Sequence, residues 1–321
     1  MKRIVITGAD GFVGRWAVEA LTQRFPGASL ILTTRGEWQA TWRLPIEASI
    51  ERLDVTEQTA VESFISRHRP DGVLHLAGIS AVHDAEADVL RAYDVNLHGT
   101  RHLAQSLLTY VPAARLVHVG SADVYGATLQ TSAMPLAEDA VIAPLNAYSL
   151  SKAAGDLTLG AAAANGLQVI RLRPFNHIGP GQDDRFVVSA FARQIAEIEA
   201  GRREPVMKVG DLSATREFLD VRDVARAYAL AFEAPAPCWR GTVVNIAGGR
   251  RICIGDMLNL LLSLSTAKVS VLQDAALIRR AETGYAGGNA DRARMMLDWQ
   301  PVIPFEATLS DILAFWRSRI N

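Results

Sequence analysis

Short apolar runs alternate along this chain with longer stretches in which apolar residues recur every three or four positions. The first run, Ile4-Val5-Ile6, predicts a strand over residues 2–7, and the stretch after it places Trp16, Val18 and Leu21 on one side of a helix. Further strands are expected over residues 30–35, 50–54, 72–77, 116–120 and 167–172. A helix over residues 88–110 carries an apolar stripe of Leu90, Tyr93, Leu97, Leu103, Leu107 and Leu108. Another follows Tyr148 through Ala153, Ala154 and Ala161 to Ala164. Strand and helix thus alternate through six repeats, which predicts an α/β fold: a Rossmann-type doubly wound parallel sheet covered on both faces.

The rhythm changes at Arg173. A polar, turn-rich loop runs to Gln182, a helix is expected over residues 186–201, and a short strand over 205–210. Residues 211–220 read as a loop ending in a strand, 242–246 as a last sheet strand, and the rest as mostly helices with a Trp299-Gln300-Pro301 turn. Residues 1–172 plus about 217–249 are expected to form a dinucleotide-binding domain. Residues 173–216 plus 250–321 are expected to form a smaller, mostly C-terminal α/β substrate-binding lobe.

With 49% hydrophobic residues, the 321-residue chain can bury a large core. A net charge of −1 without a basic run argues against a nucleic-acid partner. Cys238 and Cys253 are the only cysteines, too few for a disulfide framework or a thiolate metal site. His98 and His102 stand four apart without a third ligand, so no metal is expected. A strand beginning at Arg3 leaves no room for a signal peptide and no apolar run reaches spanning length, so the expected setting is cytoplasmic and off the membrane.

Gly8, Gly11 and Gly14 join the first strand to the first helix in the spacing Gly-x-x-Gly-x-x-Gly. Glycines there let backbone approach a pyrophosphate, and the helix N-terminus favours the anion. The second strand ends Thr33-Thr34-Arg35, with no acid until Glu37. A free ribose 2′-hydroxyl usually meets a carboxylate at that point, whereas Arg35 suits a 2′-phosphate. The expectation is NADP(H) over NAD(H), with NAD(H) still possible. Asp54-Val55 stands where the adenine end would be capped, and Asp54 serves equally as an N-cap for a helix starting near Glu57. The small residues Ala77 and Gly78 at the fourth strand's end leave room for the cofactor's middle.

Tyr148-Ser149-Leu150-Ser151-Lys152 sets a phenol and an ammonium one helical turn apart on the same face. A free phenol titrates near ~10, and a charge at ~4–5 Å with an effective dielectric of ~20 supplies roughly 3–4 kcal/mol toward the phenolate, so Lys152 helped by an oxidised nicotinamide ring can bring it down by ~3 units. With a neutral, reduced nicotinamide nearby the phenol keeps its proton more firmly, which suits donation to a developing alkoxide. Ser121, just after the fifth strand, is placed to hydrogen-bond a substrate carbonyl.

TGADGFVG (residues 7–14), the Ser121/Tyr148/Lys152 set and the late lobe together resemble the extended short-chain dehydrogenase/reductases, which modify nucleotide sugars. RPFNHIGPGQ (173–182), PVMKVGDL (205–212) and TREFLDVRDVARAY (215–228) are similar, more narrowly, to the GDP-4-keto-6-deoxy-D-mannose reductases and their dehydratase relatives. The resemblance implies catalysis by Ser121, Tyr148 and Lys152. It implies cofactor contacts from Gly8, Gly11, Phe12, Val13, Gly14, Arg35, Asp54, Val55, Leu76, Ala77, Gly78 and Asn96, besides Tyr148 and Lys152. On the substrate side, Ser121 and Asp123 join Asn176 and Val188 along the channel, with Lys208 and Arg216 at the nucleotide and Arg279 or Arg280 at the diphosphate. The dehydratases typically keep a carboxylate two places before the tyrosine of the Val-Tyr-Gly segment, often with an aspartate before it; this chain has Ala122 and Asp123 there, one acid shorter by a methylene, which favours reduction. The implied reaction is NAD(P)H-dependent reduction of the C4 ketone of GDP-4-keto-6-deoxy-D-mannose, giving GDP-D-rhamnose. A 4,6-dehydratase, a 4-epimerase and a dinucleotide-sensing protein without turnover are the alternatives. A homodimer is expected through the helix after Tyr148 and the helix containing Asn96.

Overall fold

The structure, a computed structural model, describes residues 2–38, 42, 44, 48–277 and 287–320. Its centre is a seven-stranded sheet of β1 (Arg3–Thr7), β2 (Ser29–Thr34), β3 (Ser49–Arg52), β4 (Gly72–His75), β5 (Arg115–Val119), β6 (Val169–Pro174) and β7 (Arg240–Ile246). The spatial order is β3-β2-β1-β4-β5-β6-β7 and every pairing is parallel. Strand order reverses between β1 and β4, which opens a crevice at their carboxyl ends.

The apolar runs have a direct packing consequence. Successive side chains of a strand point to opposite faces, so Ile4 and Ile6 enter one core and Val5 the other. Leu30 and Leu32 divide from Ile31 in the same way. One face is covered by α1 (Phe12–Arg24) and a helix spanning Val221–Ala231; the other by α2 (Gln58–His68), α3 (Thr100–Tyr110) and α4 (Ala147–Ala164). Each fully buried aliphatic side chain contributes roughly 1.5–3 kcal/mol, so neither face tolerates a polar replacement.

The helix expected over residues 88–110 is not uniform. It consists of a helical turn at Val89–Tyr93, a π-helical segment at Asp94–Gly99 and then α3. The wider π turn rotates the buried face. Ala92, Asn96, Gly99 and Thr100 point inward, while Leu90, placed on the apolar stripe by a constant period, is 79% exposed.

A third core belongs to the lobe. It joins α5 (Val187–Glu199), α6 (Ile254–Ser263) and α7 (Phe305–Ile320) through Phe191, Ile195, Met257, Leu261, Leu309 and Ile312. Two short strands, Arg251–Cys253 and Ser270–Gln273, lie where mostly helix was expected. They are completed by distant partners, Thr215–Glu217 and Val206–Val209, and all four residues of 270–273 are exposed, so no periodicity marked them. The Trp299 turn packs with the sheet's core: Trp299 is fully buried and its indole N–H donates to the Asp223 carbonyl at 2.8 Å.

Candidate active site

Three glycines shape the β1–α1 connection, each by a different constraint. Gly8 has φ +64°, and a Cβ there would stand 2.8 Å from the Cα of Ala77 at the end of β4. Gly11 is the extended N-cap of α1 with no side-chain cap, which leaves the start of the helix, Phe12 and Val13, to backbone chemistry. A Cβ on Gly14 would collide with the Ala9 carbonyl, so only glycine lets α1 pack this closely on the turn. Room at a positive-φ turn plus an uncapped helix start fits a pyrophosphate, and a dinucleotide cofactor is compatible with these residues.

Arg35 follows β2 and is exposed. Its carbonyl accepts from Arg52 Nε at 3.0 Å, which brings a second guanidinium to the same strand end. A carboxylate is present as well: Asp10, inside the glycine turn, accepts from the Thr34 hydroxyl at 2.6 Å. Sequence reasoning looked for the acid only along β2 and missed it, although a residue in the turn after β1 borders the neighbouring strand's end. Asp54 does not cap α2, whose N-cap is Glu57; it accepts instead from the amide and hydroxyl of Thr56 at 3.0 and 2.8 Å. The two residues between Asp54 and Glu57 close a local turn that satisfies the carboxylate first. Val55 is buried beneath the π segment, close to Gly99, and its carbonyl accepts from His102 Nδ1 at 3.2 Å. His102 is therefore a packing residue, while His98 is exposed.

Leu76, Ala77 and Gly78 leave β4 at the crevice. Asn96 locks this turn: its Oδ1 accepts from Ile79 N–H at 2.9 Å and its Nδ2 donates to Ser151 Oγ at 3.0 Å on α4. A Cβ on Gly78 would lie 3.0 Å from both Asn96 Oδ1 and Lys152 Nζ, so the lysine ammonium sits directly against the glycine.

α4 starts at a capping box in which Asn146 accepts from the Ser149 amide at 2.8 Å and Ser149 Oγ accepts from the Asn146 amide at 3.1 Å. That fixes the first turn and the phase of the helix. Tyr148 and Lys152 consequently face inward together, 7% and 8% exposed, and Ser121 at the end of β5 is 8% exposed. The Ser121 side chain hydrogen-bonds the Tyr148 phenol. Lys152 by itself does not bring the phenol down. Burial pushes Tyr148 well above the ordinary tyrosine range, the Asp123 carboxylate adds to the rise, and the Ser121 hydrogen bond opposes it. Desolvation of a phenolate outweighs a lysine whose Nζ is turned to the Val119 carbonyl at 3.2 Å and is itself brought down to about 8 by burial. The result is a phenol that holds its proton.

In the lobe, Asn176 is half-buried and its carbonyl accepts from Leu219 N–H at 2.8 Å. Val188, expected along a channel, is 1% exposed and packs in the lobe's core, because the buried side of α5 includes that position. Lys208 has a side chain 58% exposed and faces Asp274 at 3.7 Å. Arg216 is half-buried on a short strand, opposite Ile252. Arg279 and Arg280 lie outside the described residues. No helix among the described residues is long and apolar enough to cross a membrane.

A profile of the NAD dependent epimerase/dehydratase family matches residues 4–247. The chain belongs to that family. It is 33% identical over 321 residues to a GDP-6-deoxy-D-mannose reductase of Pseudomonas aeruginosa, spanning 100% of this chain and 99% of the relative. A UDP-glucose 4-epimerase of Streptomyces lividans is 27% identical over 319 residues, 96% of this chain and 94% of that protein. The structure of RMD from Pseudomonas aeruginosa complexed with NADPH superposes with a TM-score of 0.83 at 32% identity, covering 99% of this chain and 100% of the other. The protein is an NAD(P)-dependent enzyme of this family, of the oxidoreductase type.

Proposed function

We propose that the enzyme reduces the C4 ketone of GDP-4-keto-6-deoxy-D-mannose to a GDP-6-deoxyhexose, GDP-D-rhamnose, preferring NADPH to NADH. The observation that carries this reading is the buried Tyr148 phenol, kept protonated beside Ser121 at the carboxyl edge of the sheet. A reductase needs an acid that releases its proton only as negative charge develops on the ketone oxygen. The full-length likeness to a GDP-6-deoxy-D-mannose reductase supports the substrate, and the NADPH in its structural relative supports the cofactor.

The bound cofactor supplies the hydride; the chain supplies position and the proton. Gly8, Gly11 and Gly14, with the amides of Phe12 and Val13, receive the diphosphate, and Arg35 the 2′-phosphate. Leu76, Ala77, Gly78 and Asn96 line the middle, and Asp54 and Val55 the adenine end. Ser121 donates a hydrogen bond to the C4 oxygen, Tyr148 gives it a proton, and the Lys152 ammonium favours the resulting phenolate. Asp123 and Asn176 orient the sugar, and Lys208 and Arg216 meet the nucleotide. The core around Phe191 and Leu309 supports the division into a dinucleotide domain and a discontinuous lobe. Leu150 and Leu157, exposed on α4, together with Val89 and Leu90, offer an apolar face for a second copy in a homodimer. A monomer in sedimentation at micromolar concentration would end that part of the reading.

The test is consumption of reduced nicotinamide with GDP-4-keto-6-deoxy-D-mannose, with NADPH and NADH run in parallel. Consumption favouring NADPH, with the preference reduced by Arg35→Ala, supports the reading. No consumption with either cofactor refutes it and turns attention to C4 inversion, the activity of the Streptomyces relative.

A further inference from the structure

Beneath the Gly78 turn runs a buried chain of hydrogen bonds in which the direction at Thr100 sets that of the links to His75. Thr100 Oγ1 lies 2.8 Å from the Asn96 carbonyl, which can only accept, so the threonine proton is committed there. His75 Nε2 lies 3.2 Å from the same Thr100 oxygen and must therefore donate. Nδ1 of the neutral ring is then the acceptor, and it receives the Thr7 hydroxyl at 2.7 Å. Thr7 Oγ1 in turn accepts from the Ala77 amide at 3.2 Å. Thr7, His75 and Thr100 are each no more than 1% exposed.

The chain's two ends matter more than its middle. It begins at the Ala77 amide and finishes at the Asn96 carbonyl, and the Asn96 side chain returns to the amide of Ile79 at 2.9 Å. A closed ring of hydrogen bonds thus encircles Gly78, the residue against which Lys152 Nζ rests. The same Asn96 carbonyl abuts Gly155 of α4, and Asn96 Nδ2 holds Ser151, so the ring also positions α4, the helix that carries Lys152.

We propose that His75, as its neutral Nε2–H tautomer, is a positioning residue that holds the Gly78 turn to Asn96 and so fixes Lys152 in the crevice that would hold the nicotinamide. The inference rests on the dinucleotide and ketone-reduction reading given above. It extends that reading to a histidine that touches neither ligand. The neighbouring His118, 5.6 Å away ring to ring, has both nitrogens buried without a hydrogen-bond partner and takes no part in the ring.

Three variants and one spectrum test it. NMR of isotope-labelled histidine in the wild-type protein should show His75 as the Nε2–H tautomer at neutral pH; an Nδ1–H tautomer or an imidazolium would overturn the proposal. Thr100→Val removes the acceptor and Thr100→Ser restores it, while His75→Phe cuts both links. NADPH fluorescence titration counts binding sites, and single-turnover ketone reduction gives the rate per bound cofactor. Thr100→Val and His75→Phe should keep the stoichiometry and slow the single turnover ~10–100-fold, the scale of a small misplacement of reacting groups, with Thr100→Ser near wild type. Fewer sites with an unchanged rate per site would mean a merely structural role and would also overturn it. If the wild-type protein reduces no 4-keto nucleotide sugar, the functional reading fails, and the tautomer spectrum still decides the histidine's state.

Discussion

The carboxyl edge of the sheet and the lobe hold their polar groups in opposite ways. At the edge, Ser121, Tyr148, Lys152 and Asn96 are buried, and each is tied to backbone or to a fixed neighbour. In the lobe, Lys208 reaches largely into solvent toward an aspartate 3.7 Å away. Buried polar groups must be satisfied in one geometry, so the edge is rigid and pays for every change in both fold and rate. Solvated charges tolerate change and set affinity. On the proposed reading, a change at the edge should show in the rate, and a change at Lys208 in affinity.

The largest break in this contrast is Tyr148→Phe. It should lower turnover by ~10²–10⁴-fold, the usual weight of a positioned acid, while leaving nucleotide-sugar affinity nearly intact by calorimetry. Next comes Gly14→Ala, which forces a methyl group into the Ala9 carbonyl. A cost of ~1–3 kcal/mol is expected in denaturant unfolding, together with weakened dinucleotide binding. The same change at Gly27, where the added Cβ would meet nothing, should have no effect on binding, although its φ of +89° makes it strained.

The two regions should also respond to opposite ends of the pH scale. Lys152 titrates near 8 in the folded chain against an ordinary 10.5, so between those values the unfolded chain binds the extra proton. Stability contributed through this group therefore rises with pH across that window, while activity falls above about 8 as the ammonium is lost. Lys152→Met should abolish the stability slope. Glu199 in the lobe is brought down from 4.5 to about 2, chiefly by its Arg317 hydrogen bonds at 2.7 Å. Its contribution is present above 4.5 and lost as pH falls toward 2, so Arg317→Met should flatten the acid limb of an unfolding titration. Lys208→Ala is the mildest change: stability within about 0.5 kcal/mol, with KM for the nucleotide sugar raised and kcat unchanged.

Much of the edge was legible because its signals are local. Ile4-Val5-Ile6, the three glycines, and a tyrosine and lysine one turn apart each announce their geometry within a few residues. What stayed hidden depends on distant chain. In the π segment at Asp94–Gly99, Asn96 meets both Ile79 and Ser151, and neither partner is near it in sequence. Asp10 reaches Thr34 only once β1 and β2 are paired. The strands Arg251–Cys253 and Ser270–Gln273 likewise exist through remote partners, and Val188 turns inward because α7 covers α5. The burial that raises the phenol is likewise a property of the folded surroundings and is not written in the Tyr-x-x-x-Lys spacing.

The most direct test is to supply GDP-4-keto-6-deoxy-D-mannose with NADPH carrying deuterium at the transferable position of its nicotinamide and examine the sugar product by NMR. Deuterium at C4 of a GDP-6-deoxyhexose is the predicted result. A product without deuterium at C4, or unchanged sugar with unchanged cofactor, would contradict ketone reduction at this site.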